Sequence, residues 1–348
     1  MNEARLMEFV GKAVTDLGAM VNGSLTVIGD KLGLYKAMAG QGSMTSTELA
    51  RRTGYAERYL REWLSAQAAA GYLVHDGDDR FSLPDEHAIP LTDETSPACV
   101  IGGFQLALAT VHSTERLTEA FRTGHGVGWG EHHHELFEGC ERFFGPSYTA
   151  FLTSTWIPAL DGVEAKLTRG ARIADVGCGQ GASTLLLAAA YPNSTVVGFD
   201  PHPGSLDAAR KRAAEQGLAD RVSFELGTAQ DFGGRYDLVC FFDALHDMGD
   251  PSGACAHVLS VLEPDGTLMV VEPNAGDAVQ DNMNPVGAAY YAFSTMLCTP
   301  NSLAQDVGTA LGAQAGEARL REVITGAGFS SLRRASETAF NIVLEARP

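Results

Sequence analysis

Apolar residues recur at helical spacing between Leu25 and Ala39, at Leu25, Ile28, Leu32, Leu34, Tyr35 and Met38, and the run stops at Gly40 and Gly42. Thr45 followed by Glu48 forms a capping box for a short helix that ends at Gly54, and a second periodic run covers Glu57 to Ala70. Tyr72–Val74 and Arg80–Leu83, parted by the polar turn Asp76–Asp79, predict a two-strand wing, so residues 20–92 read as a winged helix. Helices are predicted over Ala98–Leu108, Thr114–Phe121 and Ser147–Leu160, around a glycine- and histidine-rich loop from Thr123 to Glu138. From Ala171 the pattern changes. Apolar strands at Arg172–Val176, Thr195–Phe199, Val222–Leu226, Leu238–Phe242 and Thr267–Glu272 alternate with helical segments, which predicts an α/β domain with a mostly parallel sheet. Pro264-Asp265-Gly266 marks a turn before the fifth strand, and Thr338–Ala346 is strand-like.

Bulk properties remove several classes. The 348 residues suit two domains, and no stretch approaches the roughly 18 consecutive apolar residues of a membrane span. The start, Met-Asn-Glu-Ala-Arg, lacks the layout of a secretion signal, and six cysteines (99, 140, 178, 240, 255, 298) show no C-x-x-C spacing. A cytoplasmic chain with reduced thiols and no membrane partner is expected. The net charge of −18 repels phosphate backbones, and in the second winged helix Glu57 and Glu62 offset Arg58 and Arg61, so no nucleic-acid partner is expected.

The chemistry starts in residues 173 to 181, Ile-Ala-Asp-Val-Gly-Cys-Gly-Gln-Gly. Gly177, Gly179 and Gly181, with Cys178 between them, allow a sharp turn whose amides approach a ligand. Gly177, Gly179 and Ala182 also satisfy the dinucleotide pattern. Asp175 beside the loop would repel a pyrophosphate but attract the ammonium of a sulfonium-bearing methionine cofactor, which favours S-adenosylmethionine (SAM) over NAD.

Ligands in such sheets lie beyond the carboxyl ends of the strands. Asp200, before Pro201, is placed to accept from ribose hydroxyls or to cap the next helix. Gly227, Thr228, Ala229 and Gln230 lie where an adenine would sit, and Phe242 and Asp243 close the fourth strand. His246 follows within one short turn and is basic at working pH, with an ordinary pKa of about 6.5. Either Glu272, at the next strand end, or Asp247 would orient its other ring nitrogen.

This set resembles the class I SAM-dependent methyltransferases, with a Rossmann-like sheet domain. The resemblance implies SAM as donor, S-adenosylhomocysteine as product, the ribose on Asp200 and the adenine near Thr228 to Asp231. Many relatives carry an acid where Thr228 stands, leaving adenine N6 to Gln230, Asp231 or backbone. Leu-His-Asp-Met resembles a segment of plant-type small-molecule O-methyltransferases, in which the histidine deprotonates a hydroxyl. The whole length is similar to actinobacterial and mycobacterial winged-helix methyltransferases. That implies residues 1–95 as a helical, winged-helix dimerisation domain of a homodimer, 96–165 as helical linker and lid, and 166–348 as the SAM domain. The expected reaction methylates an oxygen of a small aromatic or polyketide-like molecule in secondary metabolism. Alternatives are N- or C-methylation, a non-methylating SAM enzyme, and a ligand-responsive winged-helix regulator.

Outside the motif, His132-His133-His134 between Glu131 and Glu135 do not define a metal site, because adjacent helical histidines diverge. No metal is expected. Trp129 and His133 are candidates to reach the substrate, as are Tyr291 and Met296 in the stripe Tyr290, Tyr291, Phe293, Met296, Leu297, unless that stripe is plain core.

Overall fold

The computed structural model describes residues 1–348. They form two compact units, one of residues 1–108 and 138–146, the other of residues 109–137 and 147–348.

The first unit holds a long helix, Glu3–Lys31, the helices Ser46–Thr53 and Glu57–Ala69, and a small antiparallel sheet of β1 (Met44–Thr45), β2 (Val74–Gly77) and β3 (Arg80–Ser82). The capping box forms: Thr45 Oγ1 accepts from Glu48 N at 3.2 Å, and Glu48 Oε2 accepts from Thr45 N at 2.8 Å. The run from Leu25 to Ala39 is not one helix. It breaks at Gly33, whose φ of 66° is left-handed, and a short helix, Leu34–Met38, resumes in a new direction. Leu34, Tyr35, Met38, Leu49, Trp63, Leu64 and Phe81 make the core of this unit. Gly29 lets the long helix approach it, since a Cβ there would lie 2.6 Å from the Trp63 ring. Arg58 and Arg61 pair with Glu62 and Glu57 on the exposed helix face.

The second unit carries a seven-stranded sheet of β4 (Arg172–Val176), β5 (Thr195–Asp200), β6 (Val222–Leu226), β7 (Tyr236–Phe242), β8 (Leu262–Pro273), β9 (Ser331–Glu337) and β10 (Asn341–Arg347). The order is β6-β5-β4-β7-β8-β10-β9, with β4 to β8 parallel and β10 antiparallel to both neighbours. The central strands are buried on both faces, as their unbroken apolar runs require. The turn at Pro264-Asp265-Gly266 lies inside β8 rather than before it: Tyr236 pairs with Leu262 and Leu238 with Thr267, so the strand bulges between them. The segment 123–138 is only partly loop. Trp129–Glu131 form one tight turn, and a helix runs Glu135–Phe151, starting earlier than the pattern from Ser147 suggests because Pro146 is accommodated within it.

Gly198, in β5, sits beneath the loop after β4, where a Cβ would lie 2.7 Å from Phe224 and 2.8 Å from Cys178 Sγ. Gly198→Val is expected to destabilise the second unit by about 1–3 kcal/mol, as overpacked cores do, read as a lower denaturation midpoint at unchanged slope.

Candidate active site

β4 is followed in the sheet by β5 on one side, and β7 by β8 on the other. That reversal opens a crevice at the strand ends, bordered by the loops after β4 and β7. Gly177, Gly179 and Gly181 all have positive φ, at 76°, 52° and 86°. A Cβ on Gly177 would lie 3.0 Å from Ala244 Cβ, and one on Gly181 would lie 3.0 Å from the Phe224 ring, so the loop is packed on both flanks. Gly179 has nothing within 4 Å of a Cβ position. Its outer side is open. The Cys178 thiol is buried beneath the loop, where burial pushes its pKa up, so this residue offers only backbone.

Asp175 is fully buried, and its Oδ2 accepts from Ser183 Oγ and Thr184 Oγ1, each at 2.6 Å. It ties the end of β4 to the first turn of the helix Ala182–Ala190, where a carboxylate is favoured. Asp200, nine-tenths buried, accepts from Gly179 N at 2.9 Å and His202 N at 2.8 Å. Burial pushes its pKa up, opposed by those two amides. The helix Pro203–Glu215 is capped by His202 Nδ1, which accepts from Ser205 N, and not by Asp200. The His202 ring stacks on Phe137 at 4.3 Å, while Pro201 is exposed. After β6, Thr228 N and Oγ1 donate to Asp231 Oδ1 at 2.7 and 2.9 Å, so Asp231 shapes the loop after Gly227. Gln230 is exposed and donates to Asp250 O at 3.2 Å, and Ala229 is buried in the sheet core.

The centre is the turn after β7. Glu272, 1% exposed, accepts at Oε1 from Leu245 N (2.9 Å) and His246 N (3.3 Å), and its Oε2 lies 2.5 Å from His246 Nδ1. Of the two acids left open by sequence, Glu272 is the partner. Burial, the largest single influence, would lower the His246 pKa, but the Glu272 carboxylate and the Cys298 thiol together outweigh it, and the net direction is well above the ordinary value. Asp247 is half-buried. Burial, against the attraction of His246 and with the Glu272 and Asp200 charges adding, pushes its carboxyl up to about 7. Phe242 packs against Tyr148 at 5.5 Å, and Asp243 Oδ2 accepts from Tyr148 Oη at 2.8 Å.

The carbonyls of the same turn are all bound from one segment. His246 O accepts from Gly312 N (3.1 Å), Asp247 O from Asn301 Nδ2 (3.1 Å) and Gln305 Nε2 (3.2 Å), Met248 O from Ser302 Oγ (2.7 Å), and Gly249 O from Thr309 N (2.8 Å). Asn301 also accepts from Trp129 N at 3.0 Å, so one side chain holds both the Trp129 turn and the His246 turn. Asn301 and Ser302, in the short helix Thr299–Leu303, and Gln305 just after it were missed from sequence, since such polar residues carry no local mark of a distant partner. Of the three neighbouring histidines only His132 turns away, buried on Ser113 Oγ at 2.8 Å; the His133 ring lies between that of His112 at 4.5 Å and that of the exposed His134 at 4.2 Å. Tyr291 accepts from Asn282 Nδ2 at 3.4 Å, and Met296 is half-buried in a wide helical turn, Ser294–Cys298.

Residues 167–324 match the model of a methyltransferase domain, and residues 19–93 match that of the Rv2258c-like winged helix-turn-helix domain. The chain therefore carries a methyltransferase domain and, ahead of it, a winged helix-turn-helix domain. The dinucleotide reading of the glycine loop is thereby set aside. The mitomycin biosynthesis 6-O-methyltransferase of Streptomyces lavendulae is 26% identical over 243 residues, covering 67% of this chain and 68% of that protein. The chain spans only 24% and 40% of the length of two other curated relatives that it matches. The structure of mitomycin 7-O-methyltransferase MmcR shares the fold at TM-score 0.69 and 22% identity, over 99% of this chain and 100% of that one. Human N-acetylserotonin methyltransferase, solved with SAM, shares it at 0.67 and 18%, over 100% and 98%.

The methyltransferase crevice fits SAM in its donor set. The open side of Gly179 leaves room for the methionine part. Each Asp200 oxygen takes one amide and retains a lone pair for a ribose hydroxyl. Asp200→Ala is expected to raise the calorimetric dissociation constant for S-adenosylhomocysteine by about tenfold or more, as loss of charged hydrogen bonds does.

Proposed function

We propose that the chain moves a methyl group from SAM to a hydroxyl oxygen of a small aromatic or polyketide-like molecule, with His246 as general base. The buried Glu272–His246 pair carries this reading. SAM, when bound, supplies a sulfonium methyl open to in-line displacement. The chain must align an oxygen and remove its proton. Glu272 holds Nδ1–H, which leaves Nε2 with the lone pair to take that proton, and its charge stabilises the imidazolium that forms. General-base help of this kind is worth roughly 10²- to 10⁴-fold.

Asp175, Gly177, Cys178 backbone, Gly179, Gly181, Asp200, Gly227, Thr228, Ala229 and Gln230 are our cofactor assignments, and Trp129 and Met296 our acceptor assignments. The clamp from Asn301 to Asp247 O and Trp129 N supports a lid role for residues 96–165. A relative named for mitomycin biosynthesis supports an acceptor from secondary metabolism. The six free cysteines support a reduced, cytoplasmic compartment, and the neutralised arginines of the winged helix support a role without nucleic acid.

A homodimer through residues 1–95 is supported by the helix Glu3–Lys31. Met7, Phe9, Val14, Leu17, Met20 and Val21 on it are 61–68% exposed, a face that water covers poorly.

A radiolabelled-SAM screen of hydroxylated aromatics tests the reaction; methyl found on nitrogen or carbon instead would replace the oxygen assignment. With the acceptor so identified, His246→Ala is expected to cut turnover by about two decades or more. Wild-type kcat/KM is expected to rise with pH through a histidine pKa above about 6.5. Glu272→Gln removes the charge that raises that pKa, so the rise should move to lower pH with a lower plateau; an unmoved profile would exclude the pair. Leu17→Glu with Met20→Glu is expected to convert a dimer to a monomer by light scattering, and a monomeric wild type would end the dimer reading.

A further inference from the structure

Asp243 follows β7 directly, with φ at 49°. A left-handed backbone at a residue other than glycine is uncommon, though aspartate tolerates it better than most, and it persists where the surroundings enforce it, often at functional sites. The enforcement is visible. Asp243 N donates to Val271 O at 2.8 Å, Oδ2 accepts from Tyr148 Oη at 2.8 Å, and Oδ1 accepts from Asn341 Nδ2 at 2.8 Å. Both side-chain donors are neutral, so neither supplies a counter-charge, and a carboxylate with about four acceptor positions has lone pairs left over.

The location is equally specific. The next residue, Ala244, abuts Gly177 of the cofactor loop. The Asp243 amide is bound to Val271 and the His246 ring to Glu272, so both residues are anchored at consecutive positions of β8 and lie three apart in the same turn. Burial pushes the Asp243 carboxyl up to about 7, with the Glu272 charge adding and Tyr148, His246 and Asn341 opposing. A partly compensated acid at a strand end retains capacity for a further donor.

Resting on the reading of His246 as base, we propose that Asp243 accepts a hydrogen bond from a second hydroxyl or amine beside the methylated oxygen. The acceptor class is then a vicinal dihydroxy or amino-hydroxy aromatic. Asp243 selects the acceptor and does not hold the cofactor, in contrast to its sequence-based assignment with SAM.

The test compares 2,3-dihydroxynaphthalene with 2-naphthol, using labelled SAM, in the wild type and in Asp243→Asn. Asparagine tolerates the left-handed backbone and keeps the shape of the side chain. The wild type is expected to favour the diol by about tenfold in kcat/KM, as one hydrogen bond to a charged group allows. In the variant that preference should collapse toward parity while the S-adenosylhomocysteine dissociation constant by calorimetry stays within a factor of about three. Equal wild-type rates on the two naphthols would overturn the proposal without any variant. A preference retained in Asp243→Asn would also overturn it, as would loss of S-adenosylhomocysteine binding, which would return the residue to the cofactor. Methylation of neither compound would overturn the aromatic hydroxyl reading, and this inference with it.

Discussion

The site depends on a single buried carboxylate. Glu272 stands at 1% exposure at the end of β8, and it satisfies two backbone amides and one imidazole. A charge in that position is tolerated only when such donors converge on it. The consequence is geometric: the amides of Leu245 and His246 are drawn to β8, while the carbonyls of residues 246–249 are bound by the segment 301–312. The turn is thus held on both edges, and the ring it carries has little freedom left. Positional certainty of this kind is what a proton transfer coupled to an in-line displacement requires.

The same strand-end geometry joins the His246 turn to the glycine loop. Gly177 can pack on Ala244 only without a side chain, and Asp200 holds the amide of Gly179 from the neighbouring strand. The glycine loop, Asp200, His246 and Glu272 are therefore mounted on β4, β5, β7 and β8, rigid elements whose register is fixed by burial on both faces. Chemistry at the crevice inherits its precision from the sheet.

Much of this was legible in the chain. β4 and β6 match their expected bounds residue for residue: β4 is buried from Ile173 to Val176 and leaves a near-continuous apolar run, while the edge strand β6 buries only Val222 and Phe224 and alternates. His246 and Glu272 are recognisable because one lies a short turn past an apolar run and the other closes the next run. What sequence left open was pairing at a distance: Glu272 against Asp247, or Asn301 reaching both Trp129 and Asp247. Neither has a local pattern. The break at Gly33 was hidden for a different reason, since the apolar spacing continues across it while the backbone does not. The bulge in β8 likewise keeps strand pairing on both sides of a turn signal, which local reading takes as an end.

The central claim is that Glu272 fixes the Nδ1–H form of His246 and leaves Nε2 as the base. Nitrogen-15 histidine NMR of the protein saturated with S-adenosylhomocysteine reads this directly. The Nδ1 proton should be strongly deshielded and vanish in Glu272→Gln, with Nε2 titrating above about 6.5. A neutral His246 carrying its proton on Nε2 would contradict the account.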